Sequence, residues 1–205
     1  MKLESLLNYD FGPGLALTGT AILLAFAAPT MAKEKRPVVE RYQATAMSLD
    51  VGRAALMEIG IFGWNTAEER QAMIDVFNEG GDKALYKYLD KQEEMAYASL
   101  PNTLGYQMRF AYQTESDGKR QIVLVTNRPM AMGEVMTGGT SQEDNISLVV
   151  LDFDTATGKG TGEMIVGAGF GINKKTGKLE IETLSQNPIR FTTVKQREVK
   201  QKKNS

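Results

Sequence analysis

Residues 104–112 read LGYQMRFAY, and large apolar or aromatic side chains alternate along them with smaller or polar ones. The even-numbered positions from 106 onward are Tyr106, Met108, Phe110 and Tyr112. A period of two places these side chains on one face of an extended strand, as in strands with one buried face. We therefore predict a β-strand here, whose aromatic stripe either packs against helices or lines an apolar pocket.

Runs of the same kind recur along the chain, separated by short turns that contain Gly, Asn or Asp. Asp117-Gly118 is typical of a tight turn between two antiparallel strands. Sequential strands joined by such turns predict an antiparallel meander. Further strands are expected at 54–64, 121–126, 146–153, 163–170, 179–183 and 189–194.

A helical hairpin is predicted between the first strand and the meander. Thr66 and Glu69 have the spacing of a capping box, in which each side chain bonds the other residue's backbone amide. The helix that they begin is expected to end at Gly80-Gly81, because glycine commonly terminates helices. Asp82 can cap a second, shorter helix, and the apolar side of this pair needs a sheet to bury it.

Helices that precede a meander predict the α+β class. The expected architecture is a helical hairpin packed on a curved, half-barrel-like antiparallel meander of about six to eight strands, preceded by an N-terminal apolar helix. The corresponding division of the chain is a signal peptide or membrane anchor at 1–32, a linker at 33–50, the α+β domain at 51–195 and a basic tail at 196–205.

Residues 11–32, from Phe11 to Ala32, contain no charged side chain, and the stretch KEKR follows at 33–36. A helix needs about 20 apolar residues to cross a bilayer, whereas a secretory signal needs a shorter apolar core and a small-x-small cleavage site. The tripeptide AFA at 25–27 offers such a site. The segment therefore predicts either a cleaved signal peptide or an uncleaved membrane anchor.

We expect the domain to be periplasmic, or membrane-anchored and facing the periplasm. The charges around the segment keep alternatives open, because Lys2 is balanced by Glu4 and Asp10 where a signal peptide usually has a basic region. The basic residues that follow the segment would favour a cytoplasmic C-terminal side for a retained helix. An inner-membrane anchor with a cytoplasmic domain and a buried helix of a soluble protein are therefore the alternatives.

The composition argues against several classes of function. The chain has no cysteine and no histidine, which excludes disulfides, thiolate nucleophiles, Ser-His-Asp machinery and histidine-rich metal sites. Its formal net charge is −1, so no bulk positive field favours nucleic acid as a partner. We therefore expect a protein that is not an enzyme, has no cofactor and does not bind nucleic acid.

Four stretches together resemble an uncharacterised family of small bacterial exported proteins. They are IFGWNTAEERQAMIDVFNEGGDKAL (61–85), LGYQMRFAY (104–112), VTNRPM (125–130) and NPIRFTTV (187–194), and the similarity covers about residues 55–195. The resemblance implies a signal peptide followed by an α+β domain. The family has no assigned reaction, so the resemblance implies no catalytic residue.

The aromatic stripe provides the candidate ligand site. Tyr106, Met108 and Phe110 would form the wall of an apolar pocket inside a curved sheet, and Arg128 could orient an anionic group of the ligand. The simpler interpretation is that the stripe packs against the helices and that Arg128 is solvated.

Met130, Met132 and Met136 provide a candidate metal site in a glycine-rich loop. Their thioether groups suit Cu(I), although methionines in such loops more often serve as adaptable packing.

Three hypotheses about function follow from these observations. The leading one is a non-enzymatic, envelope-associated protein that binds a protein partner or acts as an accessory subunit of a membrane complex, held at the membrane by residues 11–32 if they are uncleaved. The alternative is a binding module for a small apolar or amphipathic ligand in the concave face of the sheet. A carboxylate-based enzyme is the third and least supported hypothesis.

Overall fold

The computed structural model describes residues 36–48, 52–100, 105–128, 146–172, 179–184 and 188–199. In these ranges no helix combines the length and the apolar character needed to cross a bilayer. The elements are β1 (Glu40–Ser48), β2 (Arg53–Ile61), α1 (Ala67–Asp90), β3 (Ala96–Ser99), β4 (Tyr106–Met108), β5 (Phe110–Ser116), β6 (Lys119–Thr126), β7 (Ile146–Asp154), β8 (Gly160–Ile172), β9 (Leu179–Leu184) and β10 (Ile189–Arg197).

The strands form one antiparallel sheet that curls into a nearly closed barrel. Hydrogen bonds connect nine strands in the order β4-β3-β2-β1-β10-β8-β7-β6-β5, and β9 pairs with β8 beside this path. The strands at the two ends of the path, β4 and β5, are consecutive in the chain, and Arg109 alone lies between them. Because its two edges belong to one short covalent segment, the sheet has to curve round on itself.

Two apolar clusters lie on opposite faces of this sheet. The interior cluster takes buried side chains from every strand of the path: Tyr42, Ala44, Ala46, Met57, Ile59, Ile61, Ala96, Ala98, Met108, Ala111, Ile122, Leu124, Val149, Leu151, Phe153, Met164, Val166, Ile189, Phe191 and Val194. The helix-covered cluster joins α1 to the outer face of β5–β8: Met73, Phe77, Leu85, Leu89, Phe110, Val125, Ile146, Leu148, Ile165 and Ala168. Together they bury most of the apolar surface that stabilises the fold.

Arg109 reverses the alternation of the strand that closes the barrel. Met108 belongs to the interior cluster, whereas Phe110 belongs to the helix-covered cluster, although a period of two would place both on one face. The Arg109 amide donates to the carbonyl oxygen of Val125 at 2.8 Å. One extra residue of this kind moves the following side chains to the other face, as a β-bulge does. The prediction of one continuous aromatic stripe is therefore wrong.

α1 is one helical element rather than a helical hairpin. It begins as predicted, because Thr66 Oγ1 accepts from the Glu69 amide at 3.2 Å and Glu69 Oε2 accepts from the Thr66 amide at 2.7 Å. Gly81 leaves helical geometry at φ 64° and ψ −158°, but the element continues to Asp90. Side chains on both sides of the kink enter the helix-covered cluster, so Gly81 separates two helical stretches of α1 that share one buried side.

The predicted fold class is therefore wrong. The described part of the chain is mostly antiparallel sheet with one helix on the outside of a nearly closed barrel, and not an α+β half-barrel of six to eight strands under a helical hairpin. The N-terminal apolar helix of that prediction falls on residues outside the described ranges. The predictions of strands at 121–126, 146–153, 163–170, 179–183 and 189–194 are confirmed by β6–β10.

The first strand, β1, lies in the stretch that was predicted to be a linker at 33–50. It joins the two halves of the barrel, because it pairs with β2 on one side and β10 on the other. Its inward side chains include Ala44 and Ala46, which are fully buried but give only a weak hydrophobic signal in the sequence. The residues that lead into β1, RPVVER at 36–41, are charged and contain a proline, which makes the alternation of apolar and polar residues in β1 harder to recognise.

Candidate functional site

A mostly buried ion pair crosses one end of the barrel. Arg120 on β6 donates from Nη2 to both carboxylate oxygens of Glu40 on β1, each at 2.9 Å, and the two side chains are 19% and 21% exposed. Arg120 Nε also donates to Gln113 Oε1 at 2.8 Å, and the guanidinium lies 5.5 Å from the centroid of the Trp64 ring. The Nε and Nη2 donors of Arg120 and the charge of Glu40 thus have partners within the barrel.

Tyr42 completes this arrangement beneath the ion pair. Its hydroxyl donates to Glu40 Oε2, and its ring lies 5.1 Å from that of Phe153. Burial, followed by the hydrogen bond to the Glu40 carboxylate, raises the pKa of the Tyr42 hydroxyl well above its ordinary range. The phenol is therefore held neutral and donates its proton to the hydrogen bond with the Glu40 carboxylate.

A cavity of about 1130 Å³ lies along the hairpin ends of β5–β8 and the neighbouring part of β10. We call it the lysine cavity, because Lys119, Lys159 and Lys195 line it. Gln121 lines it too and lies two residues before Val123, which packs in the helix-covered cluster, so the two point to the same face of the sheet. One end of that face is thus covered by α1, and the other end is open and polar.

The rim of the lysine cavity is held by a link between two hairpin turns. Thr155, in the β7–β8 turn, donates from its amide and from its hydroxyl to the carbonyl oxygen of Gly118, each at 2.9 Å. Gly118 and Asp117 form the β5–β6 turn with positive φ values of 71° and 53°, as the two-residue hairpin predicts. This wall of the cavity is therefore fixed relative to the sheet.

The opposite wall carries an irregularity in β10. Phe191 pairs with Gly162 and Val194 pairs with Gly160, so two residues of β10 face one residue of β8 at this point. The two residues are Thr192 and Thr193, and both line the cavity. Bulges re-aim side chains and are common beside binding sites, which explains how consecutive threonines come to line one cavity.

A second surface of interest is the outer face of β1 and β2, opposite the interior cluster. Among the described side chains, the large apolar ones that are exposed are Val39, Leu56 and Met47, at 49%, 45% and 39%. All three lie on this surface, because they alternate with inward residues of β1 and β2. We call it the bare face, since the helix-covered cluster contains no residue of β1, β2 or β10.

Charged residues adjoin the apolar part of the bare face. Arg41 forms an ion pair with Glu58 at 2.7 Å and stands directly opposite Arg197 in the β1–β10 ladder. The Arg41 Nε atom is buried and has no hydrogen-bond partner within the described residues. It borders a small cavity of about 350 Å³, which Arg197 and Glu198 also line. An unsatisfied buried donor is uncommon in folded proteins and calls for an acceptor.

The structure separates the residues of the predicted ligand site. Tyr106 and Met108 pack in the interior cluster, Phe110 packs under α1, and Arg128 is exposed just after β6. Arg128 donates from its amide to Thr126 Oγ1 at 3.2 Å. The predicted metal ligands Met130, Met132 and Met136 lie outside the described residues.

Sequence reasoning missed both the lysine cavity and the bare face. The three lysines are far apart in the chain and none belongs to a motif, so only the strand register brings them together. The alternation of β1 and β2 could have marked Met47 and Leu56 as outward-facing, had β1 been recognised as a strand.

No family model matches the chain, and neither the curated proteins nor the solved structures that were compared include a match to it.

Proposed function

We propose that this chain is a non-enzymatic, envelope-associated protein that binds a partner protein through the bare face, as an accessory subunit of a membrane complex. The observation that carries the proposal is that Met47 and Leu56 are diagonal neighbours in the β1–β2 ladder and are both exposed, while Val39 is exposed on the same face at the other end of β1. Neighbouring exposed apolar side chains with a polar surround are typical of protein–protein interfaces. The resemblance to exported proteins and the uncharged residues 11–32 support a location in the envelope.

The charged part of the bare face supports the same proposal. Arg41 and Arg197 stand opposite each other, and the ion pair of Arg41 with Glu58 compensates one of these two like charges. A partner that supplies a carboxylate would compensate the charge of Arg197. We therefore expect the partner surface to be apolar with an acidic rim.

The alternative function, a pocket for an apolar ligand lined by Tyr106, Met108 and Phe110, has less support. Phe110 lies in a different cluster from the other two side chains, so the three do not form one wall.

Site-specific photo-cross-linking in the native host tests the proposal. A benzoylphenylalanine placed at position 47 or 56 should give one adduct of defined mass in the membrane fraction, whereas the same probe at exposed positions 83 and 87 of α1 should give none. The identified partner, once purified, should bind Leu56→Lys at least about tenfold more weakly than the wild type. Equal adducts from all four positions, or none from any, would refute the proposal.

The proposed location is tested separately by the intact mass and membrane fractionation of the native protein. A full-length species in the membrane fraction would support the anchor, and a mature form that begins at Ala28 would support cleavage and export. A full-length protein found only in the soluble cytoplasmic fraction would overturn both the membrane anchor and the cleaved, exported form.

A further inference from the structure

Two lysines flank the end of the β8–β10 ladder at the edge of the lysine cavity. Gly160 of β8 pairs with Val194 of β10, and Lys159 and Lys195 are the residues that come next to this last pair. Both side chains are exposed and line the cavity. Like charges close together repel one another, and an anion between them would remove that repulsion.

A third lysine, Lys119, adds positive charge and stands opposite Asp154 in the β6–β7 ladder, whereas Asp152 and Asp154 contribute two negative charges to the lining. None of Lys119, Lys159 and Lys195 forms an ion pair within the described part of the chain. The two cavity carboxylates already have donors. Asp152 Oδ1 accepts from Gln121 at 2.9 Å, and Asp154 Oδ1 accepts from the amide and the hydroxyl of Thr157 at 2.8 and 2.9 Å.

Hydroxyl groups supply neutral donors at the same place. Thr161 lies on β8 beside the bulge that presents Thr192 and Thr193, and all three line the cavity. Ammonium groups act as point charges on phosphate, whereas the planar guanidinium of arginine binds carboxylate or phosphate through two hydrogen bonds. The arginine that lines the cavity, Arg120, is already committed to Glu40.

We propose that the lysine cavity binds a phosphate group, held by Lys119, Lys159 and Lys195 and by the hydroxyls of the β10 bulge. The volume of about 1130 Å³ slightly exceeds the roughly 300–1,000 Å³ of typical small-molecule sites, so the cavity has room for an organic molecule rather than for a single ion alone. The ligand is therefore a phosphate ester, either a free small molecule or the headgroup of a lipid. This inference is independent of the bare face and of the partner proposed for it.

Binding measurements on the full chain with defined probes test the proposal. Glycerol 3-phosphate is titrated by calorimetry, and vesicles of phosphatidylcholine, with and without phosphatidylglycerol, are tested by flotation. The triple variant Lys119→Gln/Lys159→Gln/Lys195→Gln should bind at least about tenfold more weakly than the wild type. The control Lys83→Gln/Lys87→Gln/Lys91→Gln removes the same charge from exposed positions of α1 and its C-cap, and should change binding by less than about twofold.

The outcomes separate the possible sources of the phosphate. Binding of glycerol 3-phosphate that depends on the cavity lysines supports a free ester, whereas dependence seen only with phosphatidylglycerol vesicles supports a lipid headgroup. If both triple variants bound the probe equally weakly, the effect would be due to net charge alone and the proposal would be overturned. The absence of binding of either probe to the wild type would also overturn it. NMR spectroscopy provides a second measurement if the triple variant fails to fold. In the wild-type protein, the bound probe should change the amide chemical shifts of Thr161, Thr192 and Thr193.

Discussion

Arg120 and Glu40 are joined by two hydrogen bonds of 2.9 Å although their strands, β6 and β1, are not neighbours in the sheet. The pair therefore spans the end of the barrel. Glu40→Gln removes the carboxylate charge and should lower the free energy of unfolding by about 2 kcal/mol, less than for a fully buried pair because about a fifth of each side chain is exposed. Urea denaturation measures this change.

A double-mutant cycle with Arg120→Gln provides the control for this prediction. The two substitutions should be non-additive by about 1 kcal/mol, since each removes the same interaction. Strict additivity would show that the side chains contribute independently and that the crossing pair does not stabilise the barrel.

The stability of the protein should depend on the ionisation of Tyr42 at high pH. The folded state raises the pKa of this hydroxyl above its ordinary value of 10.0, so the neutral phenol binds its proton more tightly in the fold than in the unfolded chain. Its contribution is fully present below pH 10 and is lost as the pH rises toward the folded-state pKa. The free energy of unfolding should therefore fall above about pH 10 more steeply for the wild type than for Tyr42→Phe.

Tyr86→Phe in α1 is the matched control for this pH dependence, and its profile should follow that of the wild type. If the free energy of unfolding depended on pH in the same way for the wild type and Tyr42→Phe, Tyr42 could not be the group responsible.

Asn65 should be important for holding β5 in place. Its backbone amide donates to the carbonyl oxygen of Ala111 at 2.7 Å, and its side-chain Oδ1 accepts from the Ala111 backbone amide at 2.8 Å. Asn65 thus makes both hydrogen bonds that a residue of a neighbouring antiparallel strand would make with Ala111. Asn65→Ala leaves the buried Ala111 amide without its acceptor, which should cost about 1–3 kcal/mol. Thermal and urea denaturation measure the loss, and Asn78→Ala on the exposed side of α1 should have little effect. Equal effects of the two substitutions would contradict this role.

Gly60 should not tolerate a side chain. A Cβ atom at this position would lie 2.2 Å from Cε1 of Tyr97, whose ring covers the glycine from the opposite position on β3. The Tyr97 hydroxyl donates to Glu58 at 3.2 Å and its ring contacts that of Phe62, so the ring has little freedom to move. Gly60→Ala should therefore destabilise the fold by about 1–3 kcal/mol.

The Tyr97→Ala background tests whether the ring is the cause. There the Gly60→Ala substitution should have a much smaller effect, because the clashing atoms are absent. Gly63→Ala serves as the control, since its Cβ would meet only Met95 Cε at 3.4 Å. An undiminished effect without Tyr97 would point to the backbone of β2 instead.

The sequence was sufficient to predict the individual elements that have strong local signals. The capping box at Thr66 and Glu69, the Asp117-Gly118 turn and the last five strands all depend on short patterns, and each is found in the structure. Closure of the sheet could not be predicted in this way. It depends on Arg109, because this one inserted residue turns the side chains that follow it to the opposite face of the sheet. The sequence on either side of Arg109 still has the composition of a strand, so the change of face cannot be read from it.

The candidate surfaces were less accessible to prediction than the elements. Lys159 and Lys195 become neighbours only through the pairing of β8 with β10, which the local pattern does not specify. Met47 and Leu56 are ordinary apolar residues in the sequence, and only the position of α1 on the other side of the barrel leaves them exposed.

The pairing of β1 with β10 sets the order in which the barrel can be assembled during synthesis. Arg41 pairs with Arg197, so the seam between the two halves of the sheet joins the earliest and the latest of the described strands. A nascent chain that has not yet reached Ile189 contains β1 to β9 but lacks β10, the strand that links β1 to β8. Long-range pairing of this kind is slow to form, and a ribosome would release almost the whole domain before its two halves could join. Premature termination before β10 would accordingly leave two sheets with open edges rather than a shortened barrel.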